Sequence, residues 1–361
     1  MPPSDAAALR NTRPNVREVA IIGDNFMLPE RFEQAIRARC DGQVTTRTMR
    51  LPWPDQPMEH GQGGKAGLEG IKEYQGDPDT VVRFVDGAEV LVTHLAPLFA
   101  SMLDRVPRLR LVAVSRGGPV NVDVEAARAR GIRVVNTPGR NASAVAEFTV
   151  GAILAQTRLI TAGHESLRAG AWRGDLYRAD LTGRELSELT VAVIGYGQIG
   201  TRLVKLLKPF GCRILVCDPY VQLSAADRAD GVAQVGFEQA LRRADVVTLH
   251  ARVTAETTSL IGAAQLAQMR PGALLVNAAR GPLVDYEALH DALASGYLGG
   301  AVLETFAVEP VPPGSPLLSL PNVTLTPHIA GASARTVTVA AGAAAEEVRR
   351  YIEGEPPLNP C

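Results

Sequence analysis

Short apolar runs alternate with amphipathic stretches along most of this 361-residue chain. Residues 19–22, 44–49, 90–92, 111–114 and 133–135 read as strands. Residues 30–39 and 122–130 carry helical spacing between them. Such βα alternation predicts a parallel sheet with helices packed on it. Residues 51–79 interrupt the pattern with Pro52, Pro54, Pro57, Gly61, Gly63 and Gly64. This segment reads as a long surface excursion, more a tolerated insertion than the flank of a cleft. Residues 141–160 predict one long helix bridging two domains, broken in pattern only by Gly151, with Ala144, Ala146 and Ala152 allowing close packing. Further strands are expected at 191–194, 213–216, 246–249, 273–276, 301–303 and 323–325, a six-strand doubly wound layout. An Ala-rich helix at 333–352 ends the pattern.

One of these strands carries a chemical signal. The apolar run at 191–194 breaks at Gly195, and Gly197 and Gly200 complete the spacing G-x-G-x-x-G. Ile199, Leu203, Val204, Leu206 and Leu207 then fall on one expected helix face. In such a unit the first glycine makes a tight turn, the second admits a pyrophosphate, and the third lets helix pack on strand. The helix N-terminus adds N–H groups and a positive dipole end. The next strand ends at Asp218, eighteen residues past Gly200, where a carboxylate meets ribose hydroxyls. Strand, glycines, helix, strand and acid in this order predict a dinucleotide site.

Three later strands lead into polar loops. One holds Asn277, Ala278 and Arg280, another Glu304 and Glu309, the third Thr326-Pro-His328. In a parallel sheet all three loops lie at the carboxyl edge, where ligands bind. Arg280, Glu309 and His328 suit hydride transfer. A histidine exchanges the hydroxyl proton near neutral pH. A carboxylate on its far nitrogen fixes the tautomer. A guanidinium clamps a substrate carboxylate at two points.

Composition narrows the picture further. At 46% hydrophobic and 21% charged residues with a net charge of −1, the chain reads as an ordinary globular protein with no nucleic-acid partner. No apolar stretch is long enough to span a bilayer, and residues 1–16 show no apolar signal core. Cys40, Cys212, Cys217 and Cys361 lack metal-ligand spacing, so no metal is expected and a reducing cytoplasm fits. His60, His164, His250 and His290 read as structural or exposed.

Residues 269–285, Met-Arg-Pro-Gly-Ala-Leu-Leu-Val-Asn-Ala-Ala-Arg-Gly-Pro-Leu-Val-Asp, resemble the signature of the D-isomer-specific 2-hydroxyacid dehydrogenases, phosphoglycerate dehydrogenase-like enzymes included. Asn136-Thr-Pro-Gly139 with Val145-Ala-Glu147, and Thr326-Pro-His-Ile-Ala-Gly331, strengthen the resemblance, which covers roughly residues 85–350. It implies an α/β protein of two doubly wound parallel-sheet domains, a Rossmann nucleotide-binding domain inserted into a flavodoxin-like substrate domain. The expected bounds are 1–137 for the first part of the substrate domain, 138–331 for the NAD-binding domain and 332–361 for a helix returning to the substrate domain. The resemblance also implies NAD as cofactor, a homodimer formed through the nucleotide domains, and Arg280, Glu309 and His328 as catalytic residues. Gln198 and Ile199 would touch the pyrophosphate, Ala278 the nicotinamide carboxamide, with Arg280, Glu304 and His328 beside the cofactor.

Some positions depart from the family pattern. Glu304 stands where Asp is usual, and Arg252 where Pro is usual after Leu249-His250-Ala251. The substrate loop reads Arg116-Gly-Gly-Pro-Val-Asn121 and keeps Gly118 and Asn121. Thr93-His94-Leu95-Ala96-Pro97 offers no fixed cation for a phosphate, although His94 and Arg116 remain candidates for one. The expectation is an unphosphorylated 2-hydroxy or 2-oxo acid contacted by Thr93, His94, Arg116, Gly117, Gly118 and Arg280. A phosphoglycerate dehydrogenase is the alternative enzyme. An NAD-sensing protein-binding module is the alternative of another class.

Overall fold

The computed structural model describes residues 16–53 and 70–361. The chain divides into two compact units, one of Met1–Arg140 with Ala334–Cys361 and one of Asn141–Ser333.

The first unit holds five parallel strands, β1 (Arg17–Gly23), β2 (Val44–Arg50), β3 (Val90–Thr93), β4 (Leu111–Val114) and β5 (Arg133–Val135), in the order β2-β1-β3-β4-β5. Strands β3 and β4 are buried throughout, which is why they read as unbroken apolar runs. Edge strand β2 is half-exposed and rich in β-branched threonine. One sheet face buries Ala20, Ile22, Leu91 and Val112 with Val81, Val82 and Val85 of the helix Pro78–Val85. The other buries Val19, Ile21, Val90 and Val92 with Phe32 and Ile36 of the helix Pro29–Arg39. Val337, Ala340, Ala341, Ala344, Ala345 and Val348 of the helix Ala334–Glu353 close that layer, so the Ala-rich face lets the helix approach closely. Each fully buried Val, Leu or Ile side chain contributes about 1.5–3 kcal/mol. Of the excursion at 51–79, residues 54–69 lie outside the described residues. Its flanks are anchored, since Leu51 and Ile71 are buried and Asp77 caps Thr80 N–H at 2.8 Å.

The second unit holds seven parallel strands rather than the six expected: β6 (Thr190–Ile194), β7 (Arg213–Cys217), β8 (Ala233–Gln234), β9 (Val246–Leu249), β10 (Leu274–Asn277), β11 (Gly300–Leu303) and β12 (Val323–Leu325). Their order is β12-β11-β10-β9-β6-β7-β8. The extra strand β8 has two residues and no apolar run, so periodicity gave no sign of it. The expected helix at 141–160 is two helices, Ala142–Thr157 and Ile160–Arg168, separated at Leu159 with φ of +57°. The cause is distant in sequence: the Thr157 carbonyl accepts from Arg184 N–H at 2.9 Å. On the helix Gly200–Leu207 the buried side chains are Leu203, Val204 and Leu207, whereas Leu206 faces solvent.

Both sheets reverse strand order once, between β1 and β3 and between β6 and β9. Loops at the carboxyl ends diverge at such points, opening a crevice. No helix among the described residues is long and apolar enough to cross a membrane.

Candidate active site

In the second unit the reversal point is cleared by glycine. Gly195 has φ of +98°, and a Cβ there would lie 2.7 Å from the carbonyl carbon of His250 on the neighbouring strand end. A Cβ on Gly200 would collide with the Gly195 carbonyl oxygen, so this glycine lets the helix Gly200–Leu207 sit directly on the turn. Gly197 faces open space. Beside it, Asp218 at the end of β7 is half-buried and tightly oriented. Its carboxylate accepts from the N–H groups of Tyr196 at 2.7 Å, Tyr220 at 2.8 Å and Val221 at 3.1 Å.

The loops of this sheet edge pack against one another. Ile199 from the glycine segment, Ala278 after β10 and Ala330 after β12 share one apolar cluster with Val145 and Phe148. Glu304 is buried, and its Oε1 accepts from the N–H of Ala330, a member of this cluster, at 2.7 Å. Burial raises the Glu304 pKa. The longer acid at this position therefore ties the end of β11 to the segment carrying His328. His328 N–H donates to the carbonyls of Glu304 at 3.0 Å and Thr326 at 3.1 Å, which holds the residue at φ of +54°. That left-handed conformation is uncommon outside glycine and fixes where the imidazole points.

The imidazole Nδ1 lies 2.7 Å from Glu309 Oε2. An ionised carboxylate only accepts, so Nδ1 carries the hydrogen and Nε2 is left for substrate. Glu309 is itself set by Phe306 N–H, which donates to Oε1 at 2.8 Å. The His328 side chain is 40% exposed, enough to meet a ligand, against 14% for Glu309. Arg280, after β10, is exposed and donates through Nη1 to the Ala279 carbonyl at 2.8 Å. No carboxylate among the described residues pairs with it. Its loop is braced where Asn277 Nδ2 donates to the Arg280 carbonyl at 3.0 Å and Tyr286 OH to the Thr305 carbonyl at 2.5 Å.

The remaining sequence candidates belong to the first unit. Thr93 is buried, and its hydroxyl accepts from Ala96 N–H at 3.1 Å. His94 is buried against Asp24, with Nδ1 2.6 Å from Oδ2. Arg116 pairs with the Glu73 carboxylate and donates to the Glu73 carbonyl at 3.0 Å. A phosphate site rebuilt around Arg116 would have to break that pair. Gly117 and Gly118 face open space. Asp24 and Arg140 escaped the sequence reading, although each stands just past a predicted strand. Of the histidines read as structural, His250 is partly buried behind Gly195, and His60 lies outside the described residues. No cluster of His, Cys, Asp and Glu suited to a metal occurs among the described residues.

Comparison with known proteins adds an independent line. Residues 150–330 match the family model described as D-isomer specific 2-hydroxyacid dehydrogenase, NAD binding domain. A glyoxylate reductase of Korarchaeum cryptofilum is 36% identical over 280 residues, covering 77% of this chain and 84% of that protein. A D-3-phosphoglycerate dehydrogenase of Mycobacterium leprae is 38% identical over 287 residues, but this chain spans only 53% of its length. A solved structure of a Thermus thermophilus protein superposes with a TM-score of 0.75 at 32% identity, covering 95% of this chain and 99% of that one.

Proposed function

The chain belongs to the D-isomer-specific 2-hydroxyacid dehydrogenases, a family with an NAD-binding domain, and on that premise we propose that it interconverts an unphosphorylated D-2-hydroxy acid and its 2-oxo acid. The observation that carries this reading is the 2.7 Å contact between His328 Nδ1 and Glu309 Oε2, which leaves Nε2 available at a sheet edge. The glycine turn, the open side of Gly197 and the oriented Asp218 carboxylate fit NAD, which when bound supplies or accepts the hydride. Asp218 favours NAD over NADP, because its negative charge opposes a 2′-phosphate and Pro219 and Tyr220 bring no cation.

In reduction, Arg280 holds the substrate carboxylate and so aligns the carbonyl. His328 Nε2–H donates to the carbonyl oxygen and passes it the proton as charge develops there. Glu309 stabilises the charged imidazolium that donates that proton. In oxidation the same atoms work in reverse, with neutral Nε2 taking the hydroxyl proton. The paired state of Arg116 supports an unphosphorylated substrate.

Steady-state turnover of 2-oxo acids with NADH tests the reading. Glyoxylate, hydroxypyruvate and longer sugar-derived oxo acids should be reduced faster than 3-phosphohydroxypyruvate. NADH binding with no turnover of any of them would favour the sensor alternative instead. The reading extends to a cytoplasmic homodimer. Its support is the helix Ile160–Arg168, which buries no residue within its unit, together with Trp172 at 85% and Tyr177 at 95% exposure. The four cysteines are free thiols, as a reducing compartment requires. Light scattering should give twice the 38.3 kDa chain mass.

A further inference from the structure

The first unit has a reversal point of its own, and it is occupied by charge. Asp24 follows β1 and His94 follows β3, the two strands between which the order turns. Asp24 Oδ1 accepts from the N–H groups of Phe26 at 2.8 Å and Met27 at 2.7 Å, and Oδ2 meets His94 Nδ1 at 2.6 Å. The carboxylate only accepts, so Nδ1 carries hydrogen and Nε2 presents its lone pair. That lone pair faces Arg140 Nη2 at 3.4 Å. Arg140 Nη1 is buried and has no hydrogen-bond partner among the described residues. The rings of Trp53 and Phe26 stand over the imidazole, Trp53 nearly parallel to it at 6.5 Å and Phe26 edge-on at 6.1 Å.

A buried, unpaired, charged N–H is costly unless something completes it. We propose that Asp24, His94 and Arg140 form an anion site at the reversal point of the first sheet, and that it takes the carboxylate of a small organic acid. The charges select a monoanion. Burial lowers the Arg140 pKa to about 10, so the guanidinium stays charged at neutral pH. Burial also pulls His94 below its ordinary value despite Asp24, leaving the ring neutral. Although burial opposes it, the His94 hydrogen bond holds Asp24 ionised. The triad is therefore neutral overall, so a carboxylate adds one uncompensated charge among aromatic walls and a phosphate dianion adds two.

The carboxylate has two sources, a second carboxylate on the reacting acid beyond the one Arg280 holds, or a separate effector acid, and kinetics divide them. Binding of acetate and of inorganic phosphate to the full chain without NADH is measured first, by calorimetry and by thermal shift. Acetate should bind more tightly than phosphate, and Arg140→Gln should weaken acetate at least tenfold. Equal acetate affinity in Arg140→Gln overturns the site, and Arg140-dependent preference for phosphate overturns the monoanion assignment. Asp24→Asn supplies a second variant with the opposite sign. It keeps the Oδ1 acceptor, removes the opposing charge and should tighten acetate severalfold, so unchanged or weaker binding also overturns the proposal. If the reacting acid is the source, Arg140→Gln raises KM for a 2-oxo acid carrying a second carboxylate with kcat nearly unchanged, and acetate competes with that acid. If an effector is the source, KM without acetate is unchanged and the influence of acetate on turnover disappears in Arg140→Gln. Because binding is read without turnover, failure here is separate from failure of the dehydrogenase reading.

Discussion

Two histidines follow strands at the two reversal points, and their surroundings differ. His94 N–H donates to the carbonyl of Ile22 on β1 at 3.4 Å, and His250 N–H to that of Ile194 on β6 at 2.7 Å. The backbone solution is the same. Past Ile22 the chain continues through Gly23 to Asp24, whose carboxylate takes the His94 imidazole. Past Ile194 comes Gly195, where any side chain would strike the His250 backbone. One crevice is thus filled by paired side chains and the other is emptied so that a ligand can approach bare backbone. An emptied crevice binds through N–H groups and a helix dipole. A filled one binds through what its side chains leave unsatisfied.

The largest expected effect tests whether chemistry resides at the emptied edge. His328→Ala should lower kcat by about 10²–10⁴-fold while NADH affinity changes little. Near wild-type kcat in that variant would remove His328 from its role and dissolve the contrast between the two edges.

That contrast also explains what the sequence discloses. A crevice emptied by glycine is written within eleven residues, 190–200, and its partners Asp218, Arg280 and His328 each stand just after a strand that periodicity reveals. The crevice filled by side chains is not compact in sequence. Asp24 and His94 are 70 residues apart and His94 and Arg140 are 46 apart, so only folding brings them together. The same division runs through the fold. Fully buried strands such as β4 and β9 read directly as apolar runs. Strand β8 does not, because pairing with β7 rather than composition makes it a strand. The break after Thr157 depends on Arg184, far along the chain. Leu206 lies off the buried face because a helix of eight residues leaves the edge of an apolar stripe undefined.

A smaller effect separates the two histidines themselves. Burial lowers the His250 pKa from 6.5 to about 4. Its Nε2 lies 2.9 Å from Thr248 Oγ1, while Nδ1 is buried with no hydrogen-bond partner among the described residues. The unfolded chain binds this proton below about pH 6.5, and the folded chain only near pH 4. Stability is therefore complete above pH 6.5 and declines toward pH 4, by up to about 3 kcal/mol from this group. His94 is lowered as well, but there Asp24 opposes burial. In urea melts of the cofactor-free protein at pH 7.5 and 4.5, His250→Asn should shed most of the acid loss and His94→Asn less of it. Parallel loss in wild type and His250→Asn would mean that His250 is not held neutral.

The smallest effect sets the two arginines against each other. Arg280 is exposed and Arg140 has a buried nitrogen, yet neither pairs with a carboxylate among the described residues. Lysine keeps the charge of arginine and loses the planar fork. A two-point clamp on a carboxylate should notice that loss, whereas a diffuse positive potential should not. Arg280→Lys is expected to raise KM for the 2-oxo acid roughly tenfold or more, the worth of one charge-assisted hydrogen bond. Its Kd for NADH should stay within about twofold, because Asp218 and the glycine turn hold that end of the cofactor without Arg280. A lysine variant with wild-type KM would show that Arg280 acts by charge alone. Carboxylate geometry would then have to be read elsewhere, and Arg140 would be the first place to look.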